Sequence, residues 1–303
     1  MDEQSGRPAA GSHLAAEIAT QPDDWLRAAA ALDAHTAALP RPGERVAVLG
    51  CGTSLYMARC YAGLRERAGH GVTDAFPASE HHLDRGYDRV LAISRSGTTT
   101  EVLDVVAGLP PGSAVTAITA DGRAPIVDLA QQVVLLDEVD ERSVVQTRFA
   151  TTTLALLRAQ LGADLVAIAE QARAALRTDL PPALPAAEQI TFLGRGWTIG
   201  LAEEAALKLR ESAQLWTESY PAMEYRHGPI SIAAPGRVVW AFGDVPDGLA
   251  AQVRATGAHL EHSAADPMAD LLRVHRLCLV AAAGRGLDPD RPRNLTRSII
   301  LTA

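Results

Sequence analysis

The sequence is poor in lysine, cysteine and aromatic residues. Only one of its 28 basic residues is a lysine, Lys208, and the others are arginines. Three cysteines occur, Cys51, Cys60 and Cys278, and their spacing fits neither a metal site nor an even set of disulfides. We therefore expect reduced cysteines, no metal or other cofactor, and a cytoplasmic location.

An excess of positive charge and a long apolar run are also missing. The 36 acidic residues outnumber the 28 basic ones and give a formal net charge of −8, which argues against nucleic acid and anionic membranes as partners. The apolar run 277–283 is too short to span a bilayer, and no signal peptide opens the chain. Hydrophobic residues make up 48% of the 303 positions, which is enough for two domains with full cores.

One stretch, from Val90 to Val106, combines a buried strand, a hydroxyl-rich turn and a helix. The turn, SRSGTTT, begins at Ser94, and apolar residues recur after it at helical spacing. Because the N–H groups and the dipole of a helix start favour negative charge, this turn predicts an anion site. Gly97 lets a ligand approach the backbone, and the hydroxyls add donors. Taken alone, the turn could instead serve only as the N-cap of its helix.

Strands and helices alternate along the chain, which predicts an α/β fold with parallel sheets covered by helices on both faces. We expect a disordered tail over 1–12, then helices broken at Pro22 and a first domain over 13–180, and a second, shorter domain over 181–303. Ligands bind such sheets beyond the carboxyl ends of the strands, where the turns after Leu49 and Ile93 both lie. The predicted strands are 45–49, 72–76, 90–94, 114–119 and 133–136 in the first half, and 189–193, 237–242 and 259–262 in the second.

A predicted helix over 198–215 carries Glu204, Lys208 and Glu211 on one face. A solvated stripe of salt bridges is the usual explanation of such a pattern. This helix, however, starts at the carboxyl edge of its strand, where a carboxylate beside a lysine can act as a base beside a cation. His227 follows in a Gly-Pro turn, as either a structural or a titrating residue.

Five motifs stand out along the chain: GCGTS at 50–54, SRSGTTTE at 94–101, EAALKLRE at 204–211, EYRHGPIS at 224–231 and PRNLTRS at 292–298. Together they resemble the sugar isomerase (SIS) family, in particular the isomerase half of glutamine–fructose-6-phosphate amidotransferase and the stand-alone amino-sugar-phosphate deaminases. The resemblance implies two flavodoxin-like SIS subdomains in a homodimer, with the site at the subunit interface.

The resemblance also implies roles for single residues. Glu211 matches the base that moves a proton between carbons 1 and 2, Lys208 lies beside it, and Glu204 supports Lys208. His227 matches a histidine linked to ring opening, which in relatives can come from the neighbouring subunit. By the same resemblance, Ser94, Ser96 and Thr99 hold the sugar phosphate, and Thr53 and Ser54 line the sugar. The other predicted substrate-binding residues are Arg95, Gly97, Glu204 and Arg297, with Arg297 expected at the oxygens of the substrate.

Two departures from the family narrow the expected chemistry. The amidotransferase has a cysteine after its initiator methionine, and Asp2 stands here, so we expect no glutamine-dependent synthase. The tail lysine that forms an imine in the relatives aligns with Arg297, and arginine cannot form that imine.

The expected function is carbon-2 proton abstraction on a hexosamine 6-phosphate, as in a glucosamine-6-phosphate deaminase or isomerase. One alternative is a dehydratase that eliminates the 3-hydroxyl of N-acetylglucosamine 6-phosphate. The other is a non-catalytic sugar-phosphate sensor, which would need only the phosphate-binding turn.

Overall fold

The computed structural model describes residues 9–301, and residues 1–8 of the predicted disordered tail lie outside that range. The last residue of that predicted tail, Ser12, begins the first helix. The Asp290 carboxylate accepts hydrogen bonds of 3.0 and 2.8 Å from two backbone N–H groups in the first turn of this helix. The start of the helix is therefore bound to the far end of the described chain.

Five parallel strands form the first sheet, and each strand predicted in this half is present within one residue at either end. Parallel strands that are buried on both faces have nearly continuous apolar sequences, which is why the pattern located them. They are β1 (Val46–Gly50), β2 (Thr73–Pro77), β3 (Arg89–Ile93), β4 (Val115–Thr119) and β5 (Gln132–Leu135), in the spatial order β2-β1-β3-β4-β5. Since β1 and β3 are neighbours, the turns that follow them lie side by side.

Four parallel strands form the second sheet. They are β6 (Gln189–Gly194), β7 (Trp216–Pro221), β8 (Arg237–Ala241) and β9 (His259–His262), in the order β7-β6-β8-β9. Strand β7 has no clear signal in the sequence and was not predicted, because this edge strand is largely polar and its one large apolar side chain, Trp216, is 73% exposed. The second subdomain is thus shorter than the first, as predicted.

Ten helices connect and cover the sheets in the described part of the chain. They are α1 (Ser12–Ala30), α2 (Leu32–His35), α3 (Thr53–Arg67), α4 (Thr100–Ala107), α5 (Ile126–Leu129), α6 (Arg148–Gln160), α7 (Leu165–Arg177), α8 (Thr198–Ala213), α9 (Leu249–Ala255) and α10 (Pro267–Gly284). None of the helices within residues 9–301 is both long and apolar enough to cross a membrane.

The predicted break at Pro22 is wrong, because α1 continues through this residue. A proline inside a helix removes one backbone hydrogen bond and strains the preceding turn. Here Leu14, Ile18 and Trp25 are at most 2% exposed, and their packing in the core holds the helix together on both sides of the proline.

Both sheets have helices on both faces. In the first sheet, Val48 packs towards α3 and α6, whereas the adjacent Leu49 packs towards α4 and α5. In the second sheet, Phe192 packs towards α8 and α10, and Leu193 packs towards α9. This alternation confirms the predicted α/β fold of two flavodoxin-like subdomains.

Helices α3 and α8 join the two halves by packing against each other in antiparallel fashion. A Cβ atom at Gly63 would lie 3.1 Å from Cα of Trp197, and one at Gly200 would lie 2.5 Å from the carbonyl oxygen of Tyr56. The two backbones therefore approach more closely than any residue larger than glycine permits.

We expect Gly200→Ala to destabilise the protein by about 1–3 kcal/mol, since the added methyl group must push α3 and α8 apart. Urea unfolding followed by circular dichroism measures this change. Gly284→Ala is the matched control, because Gly284 is also helical but has no atom within 4 Å of the added Cβ. Equal free energies of unfolding for the two variants would contradict this account of the α3–α8 packing.

Candidate active site

A cavity of about 180 Å³ lies at the carboxyl edge of the first sheet. It is bounded by the turns after β1 and β3, by the loop that precedes α6, by α8 and by residues 295–299 of the C-terminal tail. Nine of the twelve predicted site residues line it: Thr53, Ser54, Ser94, Arg95, Ser96, Thr99, Lys208, Glu211 and Arg297. The first half of the chain therefore supplies the hydroxyl groups and the second half supplies the lysine and the carboxylate.

The hydroxyl-rich turn after β3 is shaped by its own hydrogen bonds. The Gly97 N–H donates to Ser94 Oγ and the Thr98 N–H donates to Ser96 Oγ, both at 3.2 Å. Gly97 has a φ of +61°, and a Cβ there would lie 2.5 Å from Cβ of Ala124. Gly97 does not line the cavity, and its part is to let the chain turn where no side chain fits.

Arg95 is buried, and its guanidinium group binds other groups of the protein. Its guanidinium lies 3.6 Å from the Glu141 carboxylate and donates to the carbonyl oxygens of Ser143 and Arg297 at 3.3 and 3.0 Å. Glu141 is 2% exposed and also accepts hydrogen bonds from the start of α6. Arg95 therefore connects the hydroxyl-rich turn after β3 to the loop before α6 and to the tail.

Lys208 lies between two carboxylates of its own helix. Its Nζ atom forms an ion pair with Glu211 and lies 3.8 Å from Oε1 of Glu204. Lys208 and Glu204 are 0% and 1% exposed, whereas the Glu211 side chain retains 18% exposure at the cavity. A solvated salt-bridge stripe is thus excluded, since the face that carries these residues is turned inwards.

Burial and charge shift the pKa values of this group in a consistent way. Burial raises the pKa of Glu204 from 4.5 to about 7, and the nearby Lys208 offsets only part of that effect. Burial disfavours the charged form of Lys208, but the attraction of Glu204 and Glu211 outweighs it and raises the pKa of the lysine. Lys208 therefore stays a cation that holds Glu211 at the cavity.

The C-terminal tail covers the hydroxyl-rich turn after β3. Thr98 Oγ1 donates to Ser298 Oγ at 3.0 Å, and the Thr100 N–H at the start of α4 donates to the Ile299 carbonyl oxygen at 3.1 Å. The Arg297 side chain borders the cavity, but its guanidinium binds Asp140 and the carbonyl oxygen of Glu141. In this arrangement Arg297 fastens the tail to the loop before α6.

His227 does not reach the cavity of its own chain. It is exposed on a short 3₁₀ turn, Glu224–His227, that follows β7. The predicted contribution of this histidine from a neighbouring subunit stays a prediction.

Several residues that line the cavity were missed by the sequence analysis. Val144 and Gln146 lie in the loop before α6, and Gln146 Nε2 is buried without a hydrogen-bond partner among the described residues. Thr296 and Ser298 contribute from the tail. The position of the loop in the sequence could have identified Val144 and Gln146, because residues that follow β5 emerge at the same carboxyl edge as the two recognised turns.

Within residues 9–301, no group of three or more His, Cys, Asp or Glu side chains is placed to hold a metal ion.

In the two parallel subdomains, the hydroxyl-rich turn of one faces the lysine-bearing helix of the other. This arrangement is the fold of the double-SIS sugar isomerases. No family model matches the sequence.

The comparisons with known proteins agree with this fold. The isomerizing glutamine–fructose-6-phosphate aminotransferase of Sulfurisphaera tokodaii is 28% identical over 294 residues, which cover 84% of this chain and 50% of that protein. The chain thus spans about half the length of the curated relatives that it matches.

Two solved structures share the fold over nearly the whole chain. Glucosamine-6-phosphate deaminase from Thermotoga maritima superimposes with a TM-score of 0.78 and 23% identity, covering 96% of this chain and 100% of its own. Tagatose-6-phosphate ketose/aldose isomerase from Escherichia coli superimposes with a TM-score of 0.79 and 20% identity, covering 94% and 98%.

We expect Glu204→Gln to weaken the pH dependence of stability. The folded chain keeps a proton on Glu204 up to about pH 7, whereas the unfolded chain releases it near 4.5, so stability falls as pH rises between these values. Between about pH 5 and about pH 8, the stability of the variant relative to wild type should rise by roughly 2–3 kcal/mol in urea unfolding.

Glu17 serves as an internal control for this comparison. Burial raises its pKa to about 7 as well, but Glu17 is present in both proteins and cancels from the difference. A constant difference between the two proteins across this pH range would show that Glu204 ionises normally.

Proposed function

We propose that the chain is an enzyme that acts on an amino-sugar 6-phosphate by removing the proton from carbon 2, with glucosamine-6-phosphate deamination as the main activity. One observation carries the proposal. The Ser96 turn and the Glu211–Lys208 pair line the same cavity of about 180 Å³, so one sugar phosphate can contact both. The amino-sugar phosphate enzymes among its relatives and structural neighbours support the choice of substrate.

In this mechanism the first half of the chain tethers the substrate and the second half performs the proton transfer. The hydroxyls of Ser94, Ser96 and Thr99 hold the phosphate, and Thr53 and Ser54 lie beside the sugar. Glu211 takes the proton from carbon 2 of the open-chain aldehyde, and the Lys208 cation stabilises the negative charge that develops on the intermediate.

The oxygen on carbon 1 takes a proton from water, and Glu211 returns its proton to carbon 1. The product of this transfer carries an imine at carbon 2, and water hydrolyses it to the ketone, with ammonia as the leaving group. Glu211 is suited to both transfers because its side chain is partly exposed at the cavity while its ion pair with Lys208 holds it in place.

The second candidate is dehydration of the N-acetylated sugar phosphate. An acetylated amine leaves poorly, so the same carbon-2 carbanion would expel the 3-hydroxyl as water and give an unsaturated aldehyde. One observation favours this branch. Arg297 stands where the family has an imine-forming lysine, and its guanidinium is bound to Asp140.

We also propose that the functional unit is a homodimer. His227 is exposed and remote from the cavity of its own chain, which suits a residue that completes the site of a second copy.

We expect ammonia release when the protein is incubated with glucosamine 6-phosphate, measured with a coupled glutamate dehydrogenase assay. N-acetylglucosamine 6-phosphate should give no ammonia and no product that absorbs in the ultraviolet. An ultraviolet-absorbing product from the acetylated sugar would support the dehydratase instead. Binding of both sugars without turnover of either would support the sensor.

We expect Glu211→Gln to lower kcat by about 10³-fold or more while the substrate dissociation constant changes little, since only proton transfer is lost. Steady-state assays and equilibrium binding measure the two effects. Glu203→Gln is the matched control, because Glu203 lies on the same helix but pairs with Arg59 outside the cavity. Unchanged turnover in Glu211→Gln would remove this residue from the mechanism.

A further inference from the structure

A second and larger crevice lies at the carboxyl edge of the second sheet. Its volume is about 990 Å³, and the turns after β6, β8 and β9 form its floor, with the ends of α3 and α6 at its rim. From the central pair β6 and β8 the sheet extends to β7 on one side and to β9 on the other. Open parallel sheets bind ligands at such a switch point, beyond the carboxyl ends of the strands.

Two arginines in this crevice are free to bind a ligand. Arg67, from the end of α3, and Arg195, from the turn after β6, are exposed, and neither side chain has an ion pair or hydrogen bond among residues 9–301. Guanidinium groups match the geometry of phosphate oxygens and can bind them through paired hydrogen bonds.

The crevice has three further polar side chains that differ in their availability to a ligand. Arg158 is fully engaged, because it binds both carboxylate oxygens of Asp266 at 2.7 Å and lies 4.9 Å from the ring centroid of Trp197. His262 is bonded through Nε2 to the carbonyl oxygen of Gly243 at 2.9 Å. Asp244 is exposed without a partner among the described residues, and its carboxylate can accept hydrogen bonds from ligand hydroxyl or amino groups.

We propose that this crevice is a second, non-catalytic binding site for a sugar phosphate, with Arg67 and Arg195 on the phosphate and Asp244 on the sugar. The site is non-catalytic because the only lysine of the chain and its partner Glu211 lie elsewhere. Along α8, Lys208 lies about 15 Å and Glu211 about 20 Å from the start of that helix at the crevice.

The crevice and the catalytic cavity are built on the same two helices. Helix α3 begins with Thr53 at the cavity and ends with Arg67 at the crevice, and α8 runs the opposite way between them. A ligand in the crevice therefore contacts both helices that carry catalytic-cavity residues, which makes this a suitable place for an effector.

The test is equilibrium dialysis with radiolabelled glucitol 6-phosphate, an open-chain sugar phosphate that has no carbonyl group and cannot be turned over. Four proteins are compared: wild type, Ser96→Ala with Thr99→Ala, Arg67→Ala with Arg195→Ala, and the combination of all four substitutions. We expect two equivalents bound per chain in wild type, one in each double variant, and none in the combination. Loss of the arginine pair should weaken crevice binding at least about tenfold.

The outcomes separate this site from the proposed function. If the arginine pair can be removed with no change in stoichiometry or affinity, the crevice proposal is overturned. If instead the Ser96 and Thr99 substitutions change nothing, the phosphate turn of the proposed function fails while the crevice stands. Arg254→Ala is the control, because Arg254 is exposed on α9 outside both sites and should bind as wild type does. Circular dichroism confirms that each variant is folded.

Discussion

The buried charge of Lys208 is the constraint on which the rest of the site depends. Removing an ammonium group from water costs several kcal/mol, and only well-placed opposite charges recover that cost. The periodicity of α8 supplies them, since residues three and four positions away on a helix lie on one face. Glu204 and Glu211 occupy those positions, and the carboxylate that completes the lysine's neutralisation is also the one that reaches the cavity.

The two halves of the chain are specialised in complementary ways. The first sheet presents hydroxyl groups from the turns after two neighbouring strands, and the second sheet contributes one helix that crosses towards them. Close packing of α3 on α8, through Gly63 and Gly200, sets the distance between these parts. The tail and the loop before α6 then enclose the space, fastened to each other by Arg95, Arg297 and Glu141.

The elements that could be predicted are those marked by a pattern of neighbouring residues in the sequence. The sequence pattern predicts eight of the strands, the hydroxyl-rich turn and the stripe of Glu204, Lys208 and Glu211. The polar edge strand β7 carried no such signal. The course of α1 through Pro22 was missed because packing with distant helices, which a local pattern cannot show, keeps that helix intact.

The same limit applies to the site. The motifs predict that Arg95 and Arg297 bind the substrate. Their guanidinium groups are instead held by Glu141 and Asp140, which are 46 and 157 positions away along the chain. Gln146 and Ser298 border the cavity only because the fold brings a loop and a tail to one sheet edge. Local motifs therefore predicted the chemical groups at the site better than they predicted which residues enclose the cavity.

The inaccessible lysine has a practical consequence for chemical labelling. An amine-selective reagent has one side-chain target in this sequence, and in the folded protein that target is 0% exposed and held as a cation by two carboxylates. Acylation needs the neutral, solvent-accessible amine, so Lys208 reacts only when α8 separates from the core. The rate of its modification by an amine-reactive dye is thus a direct reporter of the opening of this helix.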